Sequence, residues 1–401
     1  MKSTGIIAEF NPFHNGHLYH LEETRKLTGS DFLIAVMSGD FTQRGFPAVY
    51  RKYMRTRSAL LSGADLVIEM PVFGTLAAAA DFADCGVSLL AAAGIADFLS
   101  FGSECGNLAM LKEQSARAQE ETAGQSDLIK KALRTGISWP KARAMAYEGS
   151  GGLSSSPNDI LGIEYLRALN KYHAPMTPVT VKRTDPGYHS DKRSGSFASA
   201  FAIRQALEKK DERFLSDVLP EAHFSALKEE GCPEIRISDF DFLYNYRLYS
   251  MSPDELFHTA GMPEALARRI DNSRLCFDSA KNRIQTLKSR QDTYTKVSRC
   301  LANAALGITK EDQESFKALQ SAPWIRILGF RRQAAPLLAE LKKRAQVPVI
   351  TKTADAKNLL SKKALRLFEK NLQASELYRM ACEQKTGRPM KNEYTRSLII
   401  L

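Results

Sequence analysis

Two histidines beside a chain reversal carry the most chemistry in this 401-residue sequence. In T-G-I-I-A-E-F-N-P-F-H-N-G-H-L-Y-H, residues 4–20, His14 and His17 stand three apart, so both rings can leave the first turn of a helix in one direction. Gly16 between them lets backbone approach a ligand with no Cβ in the way. Such a turn, with free backbone N–H groups and a positive dipole end, suits an anion, above all a phosphate. A metal site from His14, His17 and His20 competes with this reading, as do a structural histidine pair and a merely solvated helix start. Asn-Pro-Phe ahead of the pair and glycine inside it favour nucleotide phosphate.

The elements that position this turn follow from the apolar pattern. Residues 5–9 read as a short strand, broken by Asn11-Pro12, and the helical pattern from Gly16 aligns Leu18, Leu21 and Leu27. Further strands are predicted at 32–37, 65–70, 97–101 and 176–181. Helices fall between them at 50–62, carrying Arg51, Lys52, Arg55 and Arg57, and at about 75–92, whose alanine-rich face allows close packing on a sheet. This alternation implies a parallel sheet with right-handed crossovers. Residues 107–146 look helical with a break at Trp139-Pro140, and 149–159 and 184–196 read as loops, the second as a lid or binding loop. The strand pattern stops near residue 220. Helices are expected at 239–250, 253–258, 263–288, 293–306, 311–320 and 358–381, with 324–328 and 347–350 as two short apolar pieces that could be strands.

In an open parallel sheet, ligands bind outside the carboxyl ends of the strands. The first strand ends at His14 and His17, the fourth at Gly102 and the fifth at Arg183, so these residues would face one cleft. Gly102-Ser103 offers backbone for a nucleoside to lie against, although an ordinary turn reads the same way. Arg183 suits phosphate because a guanidinium fork matches its oxygens. Arg204, one turn into a helix behind Ser199, could hold a departing pyrophosphate or simply lie on the surface. On residue type alone, Asn158 is better explained as a helix cap than as a ligand contact.

With 44% hydrophobic and 25% charged residues, the composition is that of a globular protein of two or perhaps three domains. No apolar run reaches the roughly 18 residues a bilayer crossing needs, and a strand starting near residue 4 leaves no room for a signal peptide. Six cysteines without a C-x-x-C pair suggest reduced thiols and a cytoplasmic setting. The net charge of +11 is uneven: residues 281–401 hold 25 Lys/Arg against 10 Asp/Glu, while the remainder is slightly acidic. A basic last third beside a near-neutral nucleotide region points to a polyanionic partner.

The His-x-Gly-His turn after a first strand resembles the phosphate-binding corner of nucleotidyltransferases and class I synthetases. It is followed in order by M-S-G-D-F-T-Q-R-G, G-A-D-L-V-I-E-M-P, F-G-S-E, S-P-N-D-I-L-G-I-E-Y-L and R-I-L-G-F. Together these resemble the bacterial tRNA(Met) cytidine acetate ligase family, densely over the first 170 residues and thinly to residue 330. The resemblance implies an α/β fold: a Rossmann-like, parallel-sheet nucleotidyltransferase domain over 1–220, then a mainly helical basic domain over 221–401 that meets tRNA. It also implies activation of acetate by ATP to acetyladenylate, with pyrophosphate released. The acetyl group then passes to N4 of the wobble cytidine of elongator tRNA(Met), giving N4-acetylcytidine.

Carried over by position, the ATP corner falls on Ile7, Ala8, Glu9, Phe10, Asn11, Pro12 and Phe13, then His14, Asn15, Gly16, His17, Leu18, Tyr19 and His20. Gly102, Asn158 and Arg183 match the family's other nucleotide contacts; His14 and His17 are the expected catalytic pair, and Ser199 and Arg204 candidate phosphate contacts. Mg²⁺ is expected to arrive with ATP, no protein metal site is expected, and no oligomeric state is implied. Phe201 stands where related nucleotidyltransferases often carry Thr, and Asp40 where Asn is expected. A small-molecule adenylyltransferase would also explain the corner but leaves the basic third idle. A non-catalytic, nucleotide-responsive RNA-binding protein sits poorly with intact His14, Gly16 and His17.

Overall fold

The chain is described by a computed structural model in all residues except 120–122, 136, 138–141, 143–144, 148–153, 155 and 184–196. The expected break at Trp139-Pro140, most of the loop 149–159 and the loop 184–196 lie outside the described residues. Strand β1 (Ser3–Ala8) leads into α1 (Asn15–Thr28), β2 (Phe32–Ser38), α2 (Lys52–Leu61) and β3 (Leu66–Met70). Then come α3 (Ala79–Ala93), β4 (Phe98–Ser103), α4 (Pro157–Lys171), β5 (Thr177–Lys182) and α5 (Ala200–Lys209). The five strands run parallel in the order β5-β4-β1-β2-β3, so β1 lies central and its carboxyl end opens between those of β4 and β2.

These strands are nearly continuous apolar runs because helices cover both faces. The small-residue helix packs as its composition predicts. A Cβ on Gly86 of α3 would lie 2.6 Å from Ile7 Cδ1, and one on Gly5 of β1 would lie 2.5 Å from Leu90 Cδ1. A larger residue at either position would force the Ile7 or Leu90 side chain to shift, so the two glycines seat the helix closely on the strand.

Beyond residue 220 the chain is mainly helical, and α6 (Tyr294–Leu306) will matter below. The helix expected over 263–288 is two, Glu264–Ser273 and Ala280–Leu287, because Ser279 starts a new helix by accepting from Asn282 N–H at 3.2 Å. The expectation that sheet-forming sequence ends near 220 needs correction. Strand β6 (Ile325–Phe330) pairs antiparallel with β3, β7 (Val349–Ile350) extends the sheet, and after the long helix α7 (Lys362–Thr386) β8 (Ile399–Ile400) pairs with β6. The sheet therefore has eight strands among the described residues, drawn from both sides of residue 220. The physical reason is the outer edge of β3: its unpaired N–H and C=O groups would be buried without a partner, and R-I-L-G-F supplies one.

A buried ion network ties this late segment to α2. Glu393 accepts from Arg326 at 2.7 Å, Lys52 at 2.9 Å and Arg51 at 3.1 Å, while Glu69 accepts from Lys52 at 2.6 Å and Arg326 at 3.0 Å. The Tyr53 hydroxyl donates to Glu393 at 3.0 Å. All six side chains are buried.

Candidate active site

Helix α1 starts through a reciprocal pair of histidine contacts. Gly16 N–H donates to His14 Nδ1 at 3.1 Å, His14 N–H donates to His17 Nδ1 at 3.2 Å, and the two rings stack at 3.8 Å between centroids. Because each Nδ1 accepts, each neutral ring carries its proton on Nε2, the nitrogen left for a ligand. The backbone donors expected to be free here are occupied: His17 N–H and Leu18 N–H both bond to His14 O, at 2.8 and 3.1 Å. Two Nε2–H groups thus stand where the sequence suggested backbone amides. Phe10, at φ 49°, holds a left-handed conformation that costs a side-chain-bearing residue about 1–2 kcal/mol. Its buried ring repays part of that cost by packing on Phe13 at 4.9 Å and edge-on to His17 at 5.0 Å.

The rings are held neutral. Burial, then the Arg183 and Arg204 charges, brings His14 down to about 3. Burial, then His14, Arg183 and His20, holds His17 well below the ordinary histidine value. Burial and Arg183 bring His20 to about 4, and burial alone brings His223 to about 4. A stability prediction follows from the sign. Between about pH 6.5 and these lowered values the unfolded chain binds protons that the folded chain does not, so stability is full above 6.5 and is lost as pH falls. Each fully buried ring, such as His14 or His223, is expected to cost up to about 1.4 kcal/mol per pH unit in that window. The urea midpoint should therefore drop between pH 7 and pH 5; an unchanged midpoint would contradict buried neutral rings.

The ends of β4 and β5 complete this side. Arg183 lies across Gly102, where an added Cβ would come within 3.3 Å of Arg183 Cγ. Asn158 does not cap α4: the N-cap is Ser156, and Asn158 Nδ2 donates to Glu104 Oε1 at 2.7 Å. Glu104 also accepts the N–H groups of Asn158 and Asp159, at 3.2 and 2.9 Å, so its carboxylate occupies the helix N-terminus. The F-G-S-E stretch contained this residue, but its partner lies 54 positions away and no local signal joins them. Ser199 is buried and caps α5, accepting from Ala202 N–H at 3.1 Å, and Arg204 donates to Asn11 O at 2.9 Å.

Ile7, Ala8, Glu9, Phe10, Asn11, His14, His17 and His20 line one cleft of about 1670 Å³ together with Gly102, Asn158, Arg183, Ser199 and Arg204. The other six positions of the 7–20 run are not among its lining residues. Phe13 and Leu18 belong to the core cluster beneath the turn, Asn15 Nδ2 donates to Asp217 O at 3.0 Å, and Tyr19 meets the edge of Phe197 at 5.7 Å. Pro12 and Gly16 shape the turn. Phe201 lies on the cleft wall and is 39% exposed. Asp40 starts α2, its Oδ1 accepting from Lys52 N–H at 2.7 Å, a contact an asparagine oxygen would make equally well.

The opposite wall comes from the loop after β2 and from α6, which sequence reading did not assign to the site. Gly45, at φ 81°, packs so closely that a Cβ would lie 2.4 Å from Arg299 N, and its carbonyl accepts from Ser298 Oγ at 3.0 Å. That contact seats α6 against Gln43 and Arg44, and Tyr294, Lys296 and Arg299 continue the cleft lining. Beneath, buried Arg55 donates to the carbonyls of Glu9 at 2.6 Å and Ser38 at 3.1 Å, holding the carboxyl ends of β1 and β2 level.

With this geometry in view, the relatives decide the family. The HIGH Nucleotidyl Transferase family matches residues 1–393. The tRNA(Met) cytidine acetate ligase of Acetivibrio thermocellus is 35% identical over the whole of both chains, and that of Caldanaerobacter subterraneus subsp. tengcongensis is 37% identical over 95% of this chain and 96% of its own. This chain belongs to the tRNA(Met) cytidine acetate ligase family. The crystal structure of Thermotoga maritima TmcAL without ligand superposes with a TM-score of 0.93 at 29% identity, covering both chains completely. TmcAL bound with alpha-thio ATP superposes with a TM-score of 0.90 at 28% identity, again over both complete chains. The fold of this family member is thus the parallel-sheet HIGH nucleotidyltransferase architecture with a helical C-terminal region. Among its described residues, no helix is long and apolar enough to cross a membrane.

Proposed function

We propose that this family member is an ATP-dependent ligase that acetylates N4 of the wobble cytidine in elongator tRNA(Met). The observation that carries the reading is the pair of stacked, neutral imidazoles whose Nδ1 atoms are both engaged, beside Arg183 and Arg204 in a cleft that continues to a basic wall. Acetate, with a carboxyl pKa of about 4–5 by analogy with glutamate, is already ionised at neutral pH and needs no base. Its oxygen attacks the α-phosphorus of ATP, the bond from that phosphorus to the bridging oxygen breaks, and pyrophosphate leaves. The work is placement and charge stabilisation. His14 and His17 offer Nε2–H donors to the phosphates, and Arg183 and Arg204 supply the positive charge. The cytidine amine then attacks the mixed anhydride and AMP departs.

Mg²⁺ would accompany ATP on the phosphate oxygens. Among the described residues no group of three or more His, Cys, Asp or Glu is arranged to hold a metal, and the Nδ1 atoms of His14 and His17 are engaged. The basic residues 281–401, with the helices from 221 onward, form the proposed tRNA surface, and a cytoplasmic setting fits a tRNA substrate.

The deciding measurement is mass spectrometry of tRNA(Met) after incubation with ATP and acetate. A gain of one acetyl group on the wobble cytidine is expected, and its absence would reject the reading. In the same preparation, tRNA affinity is expected to fall with salt at a log–log slope of about 0.7–0.9 per phosphate contacted. A flat response would remove the basic third from the interface.

A further inference from the structure

Glu9 is a cleft carboxylate to which the activation step gives no role. Glu9 extends from the carboxyl end of β1 into the cleft, with Oε1 accepting from Gln43 N–H at 2.6 Å. A carboxylate is a poor neighbour for a triphosphate, since like charges repel at close range in a low-dielectric cleft. Its placement points to a different role. The nucleotide-side residues Gly102, Asn158 and Arg183 stand on the β4–β5 side of β1, whereas Glu9 is tied to the loop after β2. From that loop the cleft wall passes to Tyr294, Lys296 and Arg299, the side from which a polyanion would approach. Glu9 therefore stands between the nucleotide-side residues and the wall that carries Lys296 and Arg299.

Four of the other five carboxylates lining the cleft are engaged elsewhere. Glu104 holds the start of α4, Glu164 pairs with Arg167 at 2.8 Å, Asp81 pairs with Lys317 at 2.7 Å, and Glu234 pairs with Arg236 at 3.4 Å. Glu208, on α5, is exposed.

We propose that the Glu9 carboxylate is the base that takes the proton from the cytidine N4 amine as it attacks the acetyl carbonyl. Resting on the ligase reading, this assigns the second half-reaction a catalytic residue. The N4–carbonyl bond forms, the bond from the carbonyl carbon to the AMP oxygen breaks, AMP leaves as its phosphate anion, and the N4 proton passes to Glu9. Such help matters because the amine lone pair is delocalised into the ring, so the nitrogen becomes a competent nucleophile only as it loses a proton. The environment suits a base that must take up a proton. Burial raises the Glu9 carboxyl, although the Gln43 N–H and the charges of Arg44, Arg204 and Arg55 oppose it, and the Tyr165 ring of α4 lies close enough to feel its charge.

The test separates the half-reactions in Glu9→Gln, which keeps an oxygen for Gln43 N–H. Pyrophosphate release from acetate and ATP alone is measured first as the reference, because Glu9 also lines the nucleotide corner, and the loss in transfer is expected to exceed any loss there by at least about 10². Single-turnover acetyl transfer to tRNA from preformed acetyladenylate is expected to fall by about 10²–10⁴, the usual worth of a positioned base. The native transfer rate should rise with pH through a raised carboxyl pKa while the variant's stays flat. Transfer at the native rate in Glu9→Gln would overturn the proposal, and so would an equal loss of pyrophosphate release, which would make Glu9 part of activation. If the native chain releases no pyrophosphate from acetate and ATP, the ligase reading itself fails and takes the role of Glu9 with it.

Discussion

His17→Gln is expected to lower acetate-dependent pyrophosphate release by about 10²–10³ while leaving tRNA affinity unchanged. The choice of glutamine matters. His17 sits at the third position of α1 and accepts the N–H of His14, the contact that a glutamine makes in a capping box. The variant thus keeps the helix start and removes only the imidazole that donates through Nε2. The same logic selects His14→Asn over alanine, because asparagine is a preferred N-cap and can replace His14 Nδ1 as acceptor for Gly16 N–H. Alanine at position 14 would mix the chemical loss with about 1 kcal/mol of lost capping. A native rate of pyrophosphate release in either variant removes that ring from the phosphate site.

The second large effect lies in the buried network, none of whose members lines the cleft. Glu393→Gln should destabilise the protein by about 3–5 kcal/mol, because it leaves Arg51, Lys52 and Arg326 around a neutral side chain in a dry site. Burial alone would raise the Glu393 carboxyl, but Lys52, then Arg326 and Arg51, hold it well below the usual carboxylate range. The folded chain thus prefers this group charged. The loss is expected as a lower urea midpoint at neutral pH. A midpoint equal to the native one would mean that packing, and not this network, holds the late segment on the sheet.

The opening turn was legible because its signals are local: a strand, a proline break, a glycine and a helix start within 17 residues. The five parallel strands were legible for the same reason, each being an apolar run between turn signals. Long-range pairing was not. Residues 325–330 are a short apolar run that periodicity cannot assign, and their place beside β3 depends on an exposed edge more than 250 positions earlier. The charges of α2 show another limit: Arg51, Lys52 and Arg55 are all buried, matched by partners that composition cannot identify. Asn158 reads as a cap by residue type, and Glu104 displaces it because a carboxylate from the β4 loop reaches that helix start first.

The way β6 and β8 close the sheet has a consequence for the newborn chain. While the ribosome is still making the middle helices, β3 has no partner on its outer flank and Glu69 has no Arg326 to meet. Emergence of β6 closes both gaps, and β8 and Glu393 then cover β6 and its Arg326 in turn. A chain stopped before residue 325 would therefore carry a bare sheet edge, a template for pairing with other chains.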